Sequence, residues 1–252
     1  MRIEMTKRAI LLAVALTAIS SISLAQDKAP KADATTAAKP AAEAPQAGVS
    51  FVFEQSQDSR TWLTNHGFQF KLDADDPSKA RFDLGKRGLL LETLGSAEPI
   101  LGRDDLEIAQ PARLSVTWGV NVYPVGANWD AGINNEAIMV MVLFGHETMP
   151  GGFFVPPSPY FIGFFLCESG RRGVAITGRS YALQGRYVCV DSPAAGTQVT
   201  SEIDLAAQFR TAFGTATVPP IVGFAIEADT TQVNSNGRAS AWIKSIAIRP
   251  RR

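Results

Sequence analysis

From Val49 onward, apolar and polar side chains alternate in short runs separated by Gly, Pro, Asn and Asp, the pattern of extended chain with one buried face. Leu114, Val116, Trp118, Val120 and Val122 fall on one side of such a run and Arg113, Ser115, Thr117, Gly119 and Asn121 on the other, which assigns Trp118 to the core. Further strands are expected at 68–72, 88–94, 138–144, 161–167, 186–190, 221–228 and 240–248. Ile138-Met139-Val140-Met141-Val142-Leu143-Phe144 is apolar on both faces, as suits a central strand covered on both sides. About eight strands with turn residues between them predict an all-β fold, an antiparallel β-sandwich of jelly-roll or lectin-like type.

One short helix interrupts the pattern near 201–213. Thr200 or Ser201 can cap it, Glu202 and Asp204 stand in its first turn, and Ile203, Ala206, Ala207, Phe209 and Phe213 supply the apolar stripe before Gly214. Pro219-Pro220 then forces an extended entry into the strand at 221.

The front of the chain follows other rules. Residues 1–25 have the layout of a signal peptide: Arg2, Lys7 and Arg8, an apolar run from Ala9 to Leu16, and Ser23-Leu24-Ala25 as a cleavage site. The apolar run is too short to span a bilayer, so no transmembrane segment is expected in the mature chain. Residues 26–48 hold almost no large apolar side chain and predict a disordered Ala/Pro-rich linker. Residues 49–252 are then a single β-sandwich domain, exported to the periplasm or beyond the cell.

Charge narrows the partners. Lys+Arg and Asp+Glu both number 24, and removing the leader's three cations and Glu4 takes the chain from neutral to about minus two. No basic stripe interleaves with aromatics, so nucleic acid is not an expected partner. The two cysteines, Cys167 and Cys189, suit a disulfide in an oxidising compartment. If 161–167, 174–178 and 186–190 are consecutive neighbours, however, the outer strands lie roughly 9–10 Å apart, beyond the ~7 Å reach of a disulfide. A bridge and two buried thiols both stay open. Without a CxxC or a Cys/His cluster, zinc and redox chemistry have little support.

The stretch Leu89-Leu90-Leu91-Glu92 through Pro111-Ala112-Arg113-Leu114-Ser115-Val116-Thr117-Trp118-Gly119-Val120 resembles an uncharacterised bacterial envelope family, domain of unknown function 3047. Glu202-Ile203-Asp204, Phe209-Arg210-Thr211-Ala212-Phe213-Gly214, Pro219-Pro220-Ile221-Val222-Gly223-Phe224-Ala225-Ile226 and Asp229-Thr230-Thr231 carry the same likeness. Val116 stands where members usually have a tryptophan, and Asn134-Asn135-Glu136 where they have an acidic pair and an arginine. The resemblance implies an exported β-sandwich and lends no activity.

Three functions compete. A non-catalytic glycan-binding module needs exposed aromatics and fixed polar groups, which the loop 123–136 offers in Trp129, Asp130, Asn128, Asn134, Asn135 and Glu136. The loop 146–160 adds Phe153, Phe154 and Tyr160; the same aromatics could instead cover the end of the sandwich. A polysaccharide hydrolase needs two facing carboxyl groups; of Glu136, Glu147, Glu168, Asp130 and Asp191, no two sit at alternate positions of one strand. A lyase would need His146, Tyr160 and Arg179 to converge, and a structural envelope protein would need a flat apolar patch for a protein partner. No cofactor is expected apart from a structural calcium, for which Glu54 and Asp229 are candidate ligands. Asp73-Ala74-Asp75-Asp76 lacks the glycine of a calcium loop and predicts a turn.

Overall fold

The computed structural model describes residues 48–153, 155–232 and 237–251; the expected leader and nearly all of the linker, and Phe154, lie outside them. The chain begins β1 (Val49–Val52), α1 (Ser59–Asn65), β2 (Gln69–Leu72), β3 (Ala80–Gly85), β4 (Gly88–Leu94), β5 (Pro99–Arg103), β6 (Ala112–Val122) and β7 (Glu136–Met149). It continues β8 (Ser158–Leu166), β9 (Ala175–Thr177), β10 (Gly185–Asp191), β11 (Gln198–Asp204), α2 (Leu205–Phe213), β12 (Ile221–Asp229) and β13 (Arg238–Pro250).

These strands form the two layers of a β-sandwich. One sheet is six-stranded, ordered β11-β6-β13-β4-β3 with β1 also on β13, and the other is seven-stranded, ordered β2-β5-β12-β7-β8-β10-β9. Successive strands repeatedly change layer, as from β4 to β5, β6 to β7, β10 to β11 and β12 to β13, in the manner of a jelly roll. Period-two alternation turns Leu114, Val116, Val120, Ile243 and Ile246 of one sheet toward Val140, Val142, Ile162, Phe164, Phe224 and Ile226 of the other. Trp118 lies in this core with no exposed surface, and its indole N–H donates to the Ser201 hydroxyl at 2.9 Å. The doubly apolar run is β7, the middle strand of its sheet.

The helix expected at 201–213 is shorter than that span. Val199, Ser201 and Ile203 alternate with polar neighbours and pair with Trp118, Val116 and Leu114, so 198–204 is strand. Asp204 is the cap, its carboxylate accepting from the Ala207 N–H at 3.1 Å, and Gly214 closes α2 in the left-handed region with φ 67°. A second helix, α1, begins at Asp58, which accepts from the Thr61 N–H at 2.9 Å, and anchors itself through fully buried Leu63.

The expected neighbour order around the cysteines is also corrected. β10 pairs directly and in parallel with β8, setting Cys189 opposite Phe165, while β9 pairs with the far side of β10. Cys167 and Cys189 therefore approach to a Cα separation of 5.7 Å and form a disulfide. Among the described residues no helix is long and apolar enough to cross a membrane.

Candidate functional site

The inward turn of Val140, Val142, Phe224 and Ile226 leaves Met139, Met141, Ala225, Glu227 and Asp229 on the outer face of the seven-stranded sheet. Register then assembles carboxylates there. Asp229 on β12 stands opposite Glu136 on β7, and Glu227 stands between Met139 on one side and Ile100 of β5 on the other. Glu98 precedes Ile100 by two residues, so it extends the same row, and its backbone N–H donates to Asp73 at 3.0 Å.

Two of these carboxylates are almost wholly enclosed: Glu136 is 2% and Glu227 6% exposed. Each keeps one buried oxygen, Oε2, without a hydrogen-bond partner, and Asn135, the residue before Glu136, has a buried side-chain donor, Nδ2, without an acceptor. Among the described residues no ion pair involves Glu98, Glu136, Glu227 or Asp229. Half-buried Glu98 and Asp229 are where the cluster meets solvent.

Burial and mutual repulsion act together on the acids. Burial, then the charges of Asp229, Glu227 and Glu98, hold Glu136 well above the ordinary carboxylate range. Glu227 is displaced the same way by burial, then by Glu98 and Asp229. Glu98 is pushed up to about 8 by burial and by Asp229 and Asp73. Asp229 is raised by burial but restrained by Thr231, whose backbone N–H and hydroxyl both donate to its Oδ1 at 2.7 Å. Burial first and the neighbouring carboxylates second push the Tyr181 hydroxyl up to about 12 and hold that of Tyr187 well above its ordinary range.

An aromatic cover closes the rest of the face. Trp129 lies on Tyr187 and Phe165 at ring separations of 4.4 and 5.1 Å, and Tyr181 meets Phe161 edge-on at 5.2 Å. Tyr187 reaches across Gly163 because no side chain stands there; a Cβ would lie 3.1 Å from its ring and 2.2 Å from the Met139 sulfur. The Trp129 turn is set by Asn128, whose side chain accepts from the Ala131 N–H at 3.1 Å, and by Gly132 at φ 77°. Asp130 fastens that turn to the disulfide loop, accepting from the Arg171 backbone at 2.8 Å and its guanidinium at 3.0 and 2.9 Å. Those bonds hold the Asp130 carboxyl below its usual range. Asn134 and Asn135 tie the start of β7 to the end of β12: Asn134 N–H donates to Gln232 at 3.2 Å, and Asn135 Oδ1 accepts from the Gln232 N–H at 3.0 Å.

The sequence-predicted residues thus separate. Glu136 and Asp229 are brought together, although they are candidates there for different roles. Trp129, only 8% exposed, covers the face and donates its N–H to the Asn135 carbonyl at 3.2 Å, while Asn128 and Asp130 shape its turn. Tyr160 packs on α2, against Phe209 and Phe213 at 5.5 and 4.7 Å. Glu54 is exposed just after β1, in the other sheet from Asp229. Among the described residues no three His, Cys, Asp or Glu side chains are grouped to hold a metal ion. His146 pairs with Glu107 at 2.9 Å and Arg179 donates to the Gly132 carbonyl at 3.3 Å, so neither joins Tyr160. Glu98 and Glu227 are the residues the sequence reading lacks. Glu227-Ala228-Asp229 is the Glu-x-Asp spacing that sets two carboxyl groups on one face, and the strand expected at 221–228 ends one residue short of it.

No protein-family model matches the chain, and no curated protein matches it. Among solved structures it is similar to the xylan-binding module CBM15, at 9% identity and a TM-score of 0.34, over 81% of this chain and 97% of that one. It is similar also to the glycoside hydrolase domain of Endo-D from Streptococcus pneumoniae R6, at 10% identity and a TM-score of 0.32. That match covers 72% of this chain and spans 21% of the other. A third, the family GH12 Endoglucanase 3 of Trichoderma harzianum, is 13% identical with a TM-score of 0.31, over 72% of this chain and 97% of that one. Likenesses this distant carry nothing about residues or ligands.

Proposed function

We propose that the protein binds a glycan in an extracytoplasmic compartment, and that the ligand site is the outer face of the seven-stranded sheet around Glu136, Glu227 and Asp229. One observation carries this reading: buried, unpartnered groups of both polarities, the acceptors Glu136 Oε2 and Glu227 Oε2 and the donor Asn135 Nδ2, occur at the same end of β7 and β12. Leaving such a group unpaired costs about 1–3 kcal/mol, so a ligand that enters past half-buried Glu98 and Asp229 and completes the bonding gains that amount. A metal ion would serve the oxygens and repel the amide. Hydroxyl groups both donate and accept, so a polyol satisfies all three. The Cys167–Cys189 disulfide supports an oxidising location, as does the leader-like pattern of the first 25 residues.

Asn135→Asp keeps the oxygen that accepts from the Gln232 N–H, turns the N–H pair into an acceptor oxygen and adds an ionisable group to the acidic face. Against a panel of neutral and amino-sugar oligosaccharides, calorimetry is expected to find a ligand for the parent and about tenfold weaker binding by the variant, the worth of one lost hydrogen bond. Absence of any binding to the panel, or equal binding by the two proteins, would sink the proposal.

A further inference from the structure

We infer that the free edge of β11 takes up an extended, basic segment of a partner protein as an added strand; the inference is independent of the glycan-binding reading and uses a different part of the fold. β11 ends the six-stranded sheet and pairs with β6 residue by residue, from Gln198 to Asp204, without a register shift. Its other edge forms no backbone hydrogen bond to any strand or loop among the described residues, so alternate N–H and C=O groups stand open along it. Sheet ends are closed to further pairing by brevity, proline, lysine or a bulge, and the seven residues of β11 have none of these. The other ends are better protected. β2 and β9 have four and three residues, and Leu84 of β3 donates its N–H to Ser59 Oγ at 2.8 Å and accepts from the Ser56 N–H at 3.1 Å.

Beside the open edge the two sheets part. A cleft of about 400 Å³ lies there, between Val188, Val190 and Asp191 of β10 and Thr200, Ser201 and Glu202 of β11. Buried Ser201 and Ile203 face inward, and the exposed Thr200 and Glu202 and half-buried Asp204 face the other way. A strand added to this edge would turn alternate side chains onto the two valines and set the others alongside Glu202 and Asp204.

Charge names the occupant. Asp191, Glu202 and Asp204 line the cleft and no cation does. Arg251, 2.7 Å from Asp204, and Arg113, 3.9 Å from Glu202, offset part of that charge from outside. The Asp191 carboxylate accepts from the Ser201 hydroxyl and forms no ion pair among the described residues, so the cleft stays acidic. A second copy docked edge to edge would bring the same acids together, which disfavours self-pairing. No aromatic ring lines the cleft for a sugar to stack on. An extended segment with apolar residues on one face and lysine or arginine on the other meets both the valines and the acids.

The test adds two blocked hexapeptides to the full chain, one alternating valine with lysine and the other valine with glutamate. Binding is followed by calorimetry and the β11 amides by NMR hydrogen exchange. The lysine peptide is expected to bind roughly tenfold more tightly than the glutamate peptide and to slow exchange at alternate amides between Gln198 and Asp204. Methylating one peptide nitrogen that meets β11 is expected to weaken binding about tenfold, the loss of one hydrogen bond. Glu202→Gln, which keeps an acceptor for the Ser115 hydroxyl, is expected to weaken it about two- to fivefold, as for one exposed ion pair. Failure of the lysine peptide to bind, equal affinity for the two peptides, or binding that leaves β11 exchange unchanged overturns the inference. So does protection of those amides before any peptide is added, which would show a second copy or residues 26–47 of this chain already on the edge; sedimentation separates these two.

Discussion

Glu227→Gln is expected to melt roughly 5–10 °C above the parent at pH 8 and within about a degree of it at pH 4.5. An enclosed carboxyl whose oxygen finds no donor is stable in the fold only as the neutral acid, and the amide mimics that form at every pH. The sign follows from proton linkage. Below the unfolded-chain value near 4.5, folded and unfolded states both hold the proton and these acids leave stability untouched. As pH rises from there, the unfolded chain releases protons that the fold retains, so stability falls, and the loss is complete only above the folded value, about 8 for Glu98. Glu136 and Glu227, raised in the same direction, add to the same decline. The opposite limb belongs to Asp130 and Asp105, which arginine partners hold below their usual range and whose stabilisation disappears as pH falls through those lowered values. The parent is therefore expected to be most stable near pH 4.5–5, checked by calorimetric scans from pH 3 to 9. A parent whose Tm rises steadily from pH 5 to 8 would contradict this account.

Removing the disulfide is the second large effect. Cys167→Ser with Cys189→Ser frees a loop of sequence separation 22, which restores unfolded-state entropy worth about 3 kcal/mol. For a chain of this size that is a fall in Tm of roughly 6–12 °C. Both cysteines pack with Trp129, Met139 and Phe165. Trp129 is tied to the bridged loop through Asp130 and Arg171, so its fluorescence should shift to the red in the variant. A reductant should destabilise the parent and leave the double variant unchanged. Equal melting of parent and variant would show that the bridge constrains nothing that the packed strands do not already hold.

What the sequence made legible follows the strength of its periodicities. β6, β7, β8, β12 and β13 are long and bury whole faces, so alternation or continuous apolarity marks them, and Trp118 is assigned to the core by spacing alone. β3 and β5 are 6 and 5 residues long and carry glycines and charges. α1, with 7 residues and one buried side chain, has no periodicity to detect. β11 is masked because Glu202 and Asp204 also suit a helical first turn; pairing with β6 decides between the two. Neighbour order is less accessible still. Spacing along the chain suggests β8-β9-β10, whereas the parallel β8-β10 pair is what brings Cys167 and Cys189 within bonding distance. The site shows the same limit. Glu136 and Asp229 are individually visible in the sequence, but their opposition is a property of register between β7 and β12, strands separated by five other elements of secondary structure. Trp129 sits in a polar loop that looks exposed, and it is buried because that loop folds back onto Tyr187.

The most direct measurement is a carbon-13 NMR titration of the side-chain carboxyls of Glu136 and Glu227 in the ligand-free protein. Both are expected to keep their protons to a pH well above the ordinary glutamate range, with midpoints that move down when Glu98 is replaced by Gln, because each loses a neighbouring negative charge. Ordinary midpoints of about 4–4.5 for both, unaltered by that substitution, would mean that solvent or a cation already serves these oxygens and that no unpaired acidic site exists on this face.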